Sequence, residues 1–175
     1  AYFELRKRKG VNLNLARNLI RSRTHFGMMM VKMGEADALV EGVEHSYPEV
    51  IRPALQIFHT ASHVKHVCGV YLMITKGRVY FFADTTVNID PDAETLAETA
   101  ILVSDFAQSL DIDPRVAMLS FSNFGDTRHP SSEKVGNAVK LVQKMRPDIA
   151  IDGEMQADTA VVADIIDHRY PFSAI

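Results

Sequence analysis

The residues best placed to do chemistry in this 175-residue sequence are two arginines and one hydroxyl-rich loop. The loop, Ser120-Phe-Ser-Asn-Phe-Gly-Asp126, follows an apolar run and precedes a helical pattern. In open α/β sheets ligands bind at the carboxyl edge of such a strand. Hydroxyls, a glycine and free N–H groups at a helix start suit an anion such as a phosphate. Ser120, Ser122, Asn123 and Gly125 are therefore candidate ligand contacts. The same stretch equally fits an ordinary capped strand–helix turn, and it matches neither a Walker A nor a dinucleotide fingerprint. Arg52 lies beside Pro53 on a mostly apolar stretch, after the polar run Glu44-His-Ser-Tyr47. A guanidinium there needs a carboxylate or phosphate partner, and Ser46 of the polar run joins the candidate set. Arg6 belongs to the basic run Arg6-Lys-Arg-Lys9, whose default reading is a solvated helix face.

Other titratable groups carry less. His59, His63 and His66 have a spacing that zinc can use, but no cysteine or carboxylate cluster accompanies them, so no metal site is expected. Asp84 and Asp90, and Asp152, Glu154 and Asp158, are paired carboxylates of the kind that do acid–base work. Their ordinary role is to cap helices and face water.

The elements that must position these residues follow from periodicity and turn chemistry. Helices are predicted over Tyr2–Lys9, Leu13–Ser22 and Thr24–Met33, the last apolar nearly all round and so buried. Ala38–Val40 is a short strand candidate. Val50–Phe58 has helical spacing, with Pro53 near its start, where a missing N–H costs little. Val67–Thr75 and Arg78–Val87 flank Lys76-Gly77 and read as a hairpin. Asp92–Leu110 is the clearest helix, with Leu96, Ala100, Val103, Ala107 and Leu110 on one face. Strand Val116–Phe121, helix Ser132–Lys144, strand Ile149–Ile151 and helix Ala157–His168 then alternate as parallel strands with crossover helices do. With the hairpin added, the fold class is α/β with a mixed sheet.

Composition bounds the function. A net charge of −3 gives no basic field for nucleic acid or an anionic membrane. The single cysteine, Cys68, cannot form an internal disulfide, which fits a reducing, cytoplasmic compartment. No apolar stretch approaches the roughly 20 residues of a membrane span. Ala1-Tyr-Phe-Glu-Leu-Arg-Lys reads as the inside of a helix and Tyr170-Pro-Phe-Ser-Ala-Ile175 as a loop leading onward. Both ends are those expected of a part of something longer.

Six ordered segments resemble the phosphotransacetylase (phosphate acetyltransferase) family. They are Tyr2-Phe-Glu-Leu-Arg-Lys-Arg-Lys-Gly10, Met33-Gly-Glu-Ala-Asp-Ala-Leu-Val-Glu-Gly42, Ile51-Arg-Pro-Ala-Leu-Gln56, Phe82-Ala-Asp-Thr-Thr-Val-Asn88, Pro114-Arg-Val-Ala-Met-Leu-Ser-Phe-Ser122 and Ile149-Ala-Ile-Asp-Gly-Glu-Met-Gln156. The resemblance implies an α/β/α sandwich with a mixed, mainly parallel sheet, similar to isocitrate and isopropylmalate dehydrogenases. Residues 1–175 would be the central portion of one such domain, its N-terminal strands and C-terminal segment lying outside. The resemblance also implies a homodimer or higher homo-oligomer, and an acyl-CoA and phosphate site in the cleft between lobes. Arg6 and Arg52 fall on the family's anion-binding arginines. The family chemistry is attack of the CoA thiolate on acetyl phosphate, which cationic groups assist by neutralising the phosphate. A Ser-Arg-Gly segment and following aspartate that act on the thiol would lie beyond Ile175.

One departure directs the finer expectation. Active members carry Ser-Thr-Lys-Gly-Ser or Ser-Thr-Gly loops where this chain has Ser122-Asn-Phe-Gly-Asp126, followed by His129-Pro-Ser-Ser-Glu133. That pair of motifs resembles the phosphotransacetylase-like C-terminal domain of large NADP-dependent malic enzymes. It implies an acetyl-CoA-sensing regulatory domain with no catalytic residues and no cofactor of its own. The NADP, the divalent metal and the malic-enzyme catalytic domain would then belong to the same parent chain. Phe124 is expected to strip polar lining from the anion loop, keeping binding and losing chemistry. The alternative is part of an active phosphate acetyltransferase.

Overall fold

The computed structural model describes residues 1–175, which divide into two units, 1–65 and 66–175. The first unit is helical: α1 (Tyr2–Arg6), a 3-10 turn (Lys7–Lys9), α2 (Leu13–Leu19), α3 (Arg23–Met33) and α4 (Tyr47–Ile57). Side chains that meet the free N–H groups of a first turn set the helix starts. Asn12 Oδ1 accepts from the Leu15 N–H at 2.8 Å, and Ser22 Oγ from the His25 N–H at 3.2 Å. At α4 the Glu49 carboxylate reaches back to the Ser46 N–H and hydroxyl, both at 2.7 Å, in a capping box. Tyr2, Ala16, Met28, Met29 and Ile57 form the core.

Three expectations are corrected in this unit. Helix α3 is not buried all round: Met28 and Met29 are inside, while Phe26 and Met33, two turns apart on one stripe, are exposed. Ala38–Val40 forms no strand, and Val40 is 98% exposed; a run of three residues has no ladder partner to satisfy its backbone. Helix α4 begins at Tyr47, so Pro48 occupies its first turn and Pro53 lies in the interior, buried. There Pro53 removes the hydrogen bond its N–H would give the Glu49 carbonyl.

The second unit contains β1 (Val70–Thr75), β2 (Arg78–Ala83), α5 (Ala93–Ser109), β3 (Arg115–Leu119), α6 (Pro130–Met145), β4 (Ala150–Met155), α7 (Ala157–Val161) and α8 (Ala163–Arg169). β1 and β2 pair antiparallel from Val70↔Ala83 to Thr75↔Arg78. Lys76 and Gly77 both have positive φ, as a two-residue primed turn requires. β3 and β4 pair parallel, joined through α6. Asp92 Oδ1 accepts from the Thr95 N–H at 2.8 Å and starts α5. Leu96, Ala97 and Ala100 of α5 pack with Val135, Ala138, Val139 and Val142 of α6 and with Ile149 and Ile151.

The class is α/β, as the alternation predicts. The single mixed sheet is not formed: the hairpin and the parallel pair are two separate two-stranded ladders. The predicted last helix is broken at Val162, whose φ of −106° and ψ of 103° are extended. Adjacent β-branched Val161 and Val162 lower the helical preference at that point. No helix is long and apolar enough to cross a membrane.

Candidate functional site

The loop after β3 is built around a carboxylate. Glu154, only 6% exposed, projects from β4 beneath it. Its Oε1 accepts from the Gly125 N–H at 2.6 Å and from the Ser122 hydroxyl at 3.4 Å. Its main-chain carbonyl accepts from the Phe124 N–H at 2.7 Å. Asn123 Oδ1 accepts from the Gln156 N–H at 2.8 Å, and Gln156 Nε2 donates to the Phe121 carbonyl at 2.7 Å. Ser122 is buried, and its Oγ also accepts from the Thr127 N–H at 3.0 Å. Ser120 is half-buried, and its N–H donates to the Met155 carbonyl at 2.8 Å. The structure thus brings Ser120, Ser122, Asn123 and Gly125 together on one loop, with the Gly125 N–H turned inward to the protein's own carboxylate.

Glu154 is the residue that pattern reading misplaces, since carboxylates after a strand are expected to face water. Period-two alternation puts Ile151 and Met155 on one face and Glu154 on the other. The ladder breaks that rule: Met118 pairs with Gly153 and Leu119 with Met155, so Glu154 is an extra residue in a bulge. Bulges re-aim side chains, and this one sends both Glu154 and Met155 inward. The non-local register, absent from the local pattern, decides the outcome.

Phe124 has a structural occupation. Its ring centroid lies 4.9 Å from that of Tyr170 and 5.0 Å from that of Phe172. Beside this cluster, Asp152 Oδ2 accepts from the Ser173 hydroxyl at 2.8 Å and the Ala174 N–H at 2.9 Å. The pair Asp152 and Phe124 therefore fastens segment 170–174 to the loop.

In the first unit, Arg6 ends α1 half-buried, and its Nε is buried without a hydrogen-bond partner. A buried donor left unmade costs on the order of 1–3 kcal/mol, so this guanidinium is poised for an acceptor. Its neighbour Lys7 pairs with Glu4. Ser46 has its hydroxyl engaged by Glu49 at the start of α4, and Arg52 is exposed one and a half turns along that helix.

The remaining candidates scatter. His66 Nδ1 lies 2.6 Å from Glu98 Oε2, and no group of three His, Cys, Asp or Glu side chains is placed to hold a metal ion. Burial pushes the Cys68 thiol up, away from the thiolate that nucleophilic cysteines need. Asp84 has a buried Oδ1 with no partner. Burial raises its carboxyl above the ordinary aspartate range, against the opposing pull of Lys134. Between the ordinary value and the raised one, the folded state holds more protons than the unfolded state, so stability falls as pH rises through that window. Asp84→Asn is therefore expected to melt higher than the wild type at pH 7, the gain fading as pH falls through that window and gone below about pH 3.9. A variant that melts lower at pH 7 would show instead that ionised Asp84 is a net stabiliser through Lys134.

A family model described as phosphate acetyl/butaryl transferase matches residues 1–175, the whole chain. The chain belongs to that family. A phosphate acetyltransferase of Bacillus subtilis (strain 168) is 42% identical over 175 residues, 100% of this chain and 54% of that protein. Another, from Thermoanaerobacterium thermosaccharolyticum, is 40% identical over 181 residues, 99% of this chain and 55% of that protein. The solved structure of a phosphotransacetylase from Streptococcus pyogenes matches with a TM-score of 0.87 and 41% identity, over 99% of this chain and 53% of that one. The chain spans about half the length of these relatives.

These matches overturn the expectation of an acetyl-CoA-sensing regulatory domain of a malic enzyme. Proteins carrying the transferase name align across the whole chain, the Ser122–Asp126 loop included, at 42% and 40% identity. Phe124 packs on Tyr170 and Phe172, so its bulk serves an aromatic cluster. NADP, a divalent metal and a neighbouring decarboxylating domain are implied through that assignment alone.

Proposed function

We propose that this chain is the central part of a phosphate acetyltransferase, moving an acetyl group between phosphate and CoA. The observation that carries this reading is the 42% identity to a phosphate acetyltransferase along the entire chain. In the forward direction the CoA thiolate attacks the carbonyl carbon of acetyl phosphate, a C–S bond forms, the C–O bond to phosphate breaks, and inorganic phosphate leaves with the electron pair. Negative charge gathers on phosphate oxygens, where fixed cationic donors are most effective. Arg6 and Arg52 are the proposed anion contacts, supported by the unpartnered buried Nε of Arg6. Ser46 in the first unit, and Ser120 and Asn123 in the second, are proposed as polar lining, with buried Ser122 and the Gly125 backbone shaping the loop. The ligands are acyl-CoA and phosphate, with no further cofactor in this part.

A homo-oligomer and a cytoplasmic location belong to the same reading. Leu72, Ile74 and Phe82 of the hairpin are exposed apolar surface that an assembly would cover. The test uses the complete protein, supplied with acetyl phosphate and CoA, following thioester formation by ultraviolet absorbance. Sustained acetyl-CoA production is expected. A folded protein that binds CoA yet makes no thioester would sink the reading.

A further inference from the structure

We propose that Glu154 is a positioning residue: its buried carboxylate sets the conformation of loop 120–127 and so the donors that loop offers to the phosphoryl end of the substrate. The substrate half of this statement rests on the transferase reading; the conformational half does not.

Three observations carry it. The carboxylate is almost wholly buried, and the donors it meets, the Gly125 N–H and the Ser122 hydroxyl, are neutral and belong to the loop itself. A buried carboxylate held by such donors fixes their direction, because turning either outward would strand an ionisable group in the interior. The loop is also tied from the main chain just beyond that side chain: the Glu154 carbonyl accepts from the Phe124 N–H, and the Gln156 N–H donates to Asn123. Finally, α6 leaves room for the group. A Cβ placed on Gly136 would sit 3.0 Å from Glu154 Oε2, so glycine at that helical position lets the carboxylate occupy its place.

With the Gly125 N–H and Ser122 hydroxyl committed inward, the half-buried Ser120 hydroxyl and Asn123 amide nitrogen are held at fixed positions, beside the exposed Asp126 carboxylate and Thr127 hydroxyl. Preorganisation of this kind is what lets a donor act without reorganising during reaction. Glu154 itself need touch no substrate.

The test compares Glu154→Ala, Glu154→Gln and Gly136→Ala in the complete protein. Gly136→Ala presses on Oε2 of the carboxylate from the α6 side, leaves the loop sequence intact and suits a helix by propensity. Amide exchange at Gly125 is expected to quicken about 10-fold or more in Glu154→Ala, where the bond to Oε1 is lost, and by less in Gly136→Ala, whose added methyl meets Oε2. The KM for acetyl phosphate is expected to rise about 10-fold while that for CoA stays within about 2-fold. Glu154→Gln keeps an acceptor oxygen and is expected to stay within about 3-fold of the wild type in both readouts.

Unchanged exchange at Gly125 in folded Gly136→Ala and Glu154→Ala would overturn the proposal. So would a parallel rise of both KM values, or a glutamine variant as impaired as alanine. If Glu154→Ala does not fold, Gly136→Ala decides alone. A wild-type protein without transferase activity overturns the substrate half together with the functional reading, and Gly125 exchange then still decides whether Glu154 sets the loop.

Discussion

Gly153→Ala is expected to destabilise the second unit by about 2–6 kcal/mol. A Cβ at this position would lie 2.6 Å from the main-chain carbonyl oxygen of Met118 and 3.1 Å from its Cβ. The first of these neighbours is backbone in the adjoining strand and cannot swing aside. Met118 and Gly153 are ladder partners, so relieving the clash means parting β3 from β4 beside the bulge. Gly153 also has a φ of +137°, a conformation L side chains rarely adopt. Overpacking costs about 1–3 kcal/mol, and a residue held in a sparsely populated backbone region about 1–3 kcal/mol more. Set against a total stability of about 5–15 kcal/mol, the sum removes a large share of the margin. Thermal melting of the complete protein checks it, with Gly10→Ala as the control. Gly10 has a φ of 84°, but a methyl group added there would have nothing within 4 Å, so it carries the backbone cost alone, about 1–2 kcal/mol. A Gly153→Ala protein as stable as the Gly10→Ala one would mean that the strand contact yields more readily than its geometry indicates.

The contrast between Gly153 and its neighbour Glu154 shows where sequence pattern stops being informative. Local chemistry is legible: Asp92 starts α5 within one residue of the predicted boundary, and Lys76-Gly77 turns the hairpin as expected. Each of these is decided within a few residues by a cap or a turn conformation. What long-range contacts decide is not legible. The bulge that turns Glu154 inward depends on how β4 meets β3, across more than thirty residues of chain. The interior position of Pro53 depends on a helix start at Ser46, where Glu49 closes a capping box that the apolar periodicity of Val50–Phe58 does not contain. Among the candidate residues, Arg6 and Arg52 are visible in the sequence as charges that need partners. The Asn123-Phe124 pair reads there as lost function because its partners, Gln156, Tyr170 and Phe172, lie more than thirty residues onward.

Arg6→Ala, under the proposed activity, is expected to lower kcat/KM for acetyl phosphate by about 10²–10³ while leaving the melting temperature at or above the wild-type value. Loss of a single fixed donor to an oxyanion typically has that size of effect. The stability expectation is the discriminating half. An arginine that served the fold would have its donors met inside the chain, and its removal would strand their acceptors. Arg6 instead has a buried Nε with no acceptor, so deletion relieves an unmet donor and removes no internal bond from that atom. Arg6→Lys is expected to recover only part of the rate, because an ammonium cannot reproduce the planar two-point grip of a guanidinium on phosphate oxygens. Arg52→Ala should cost less, about 10-fold, since Arg52 is exposed on α4 and water weakens its attraction for an anion. Should Arg6→Ala melt markedly lower and keep its KM for acetyl phosphate, Arg6 would be a structural residue and the anion site would have to be sought elsewhere. Activity loss without stability loss is the signature of a cation kept unpaired in the fold for a ligand to complete.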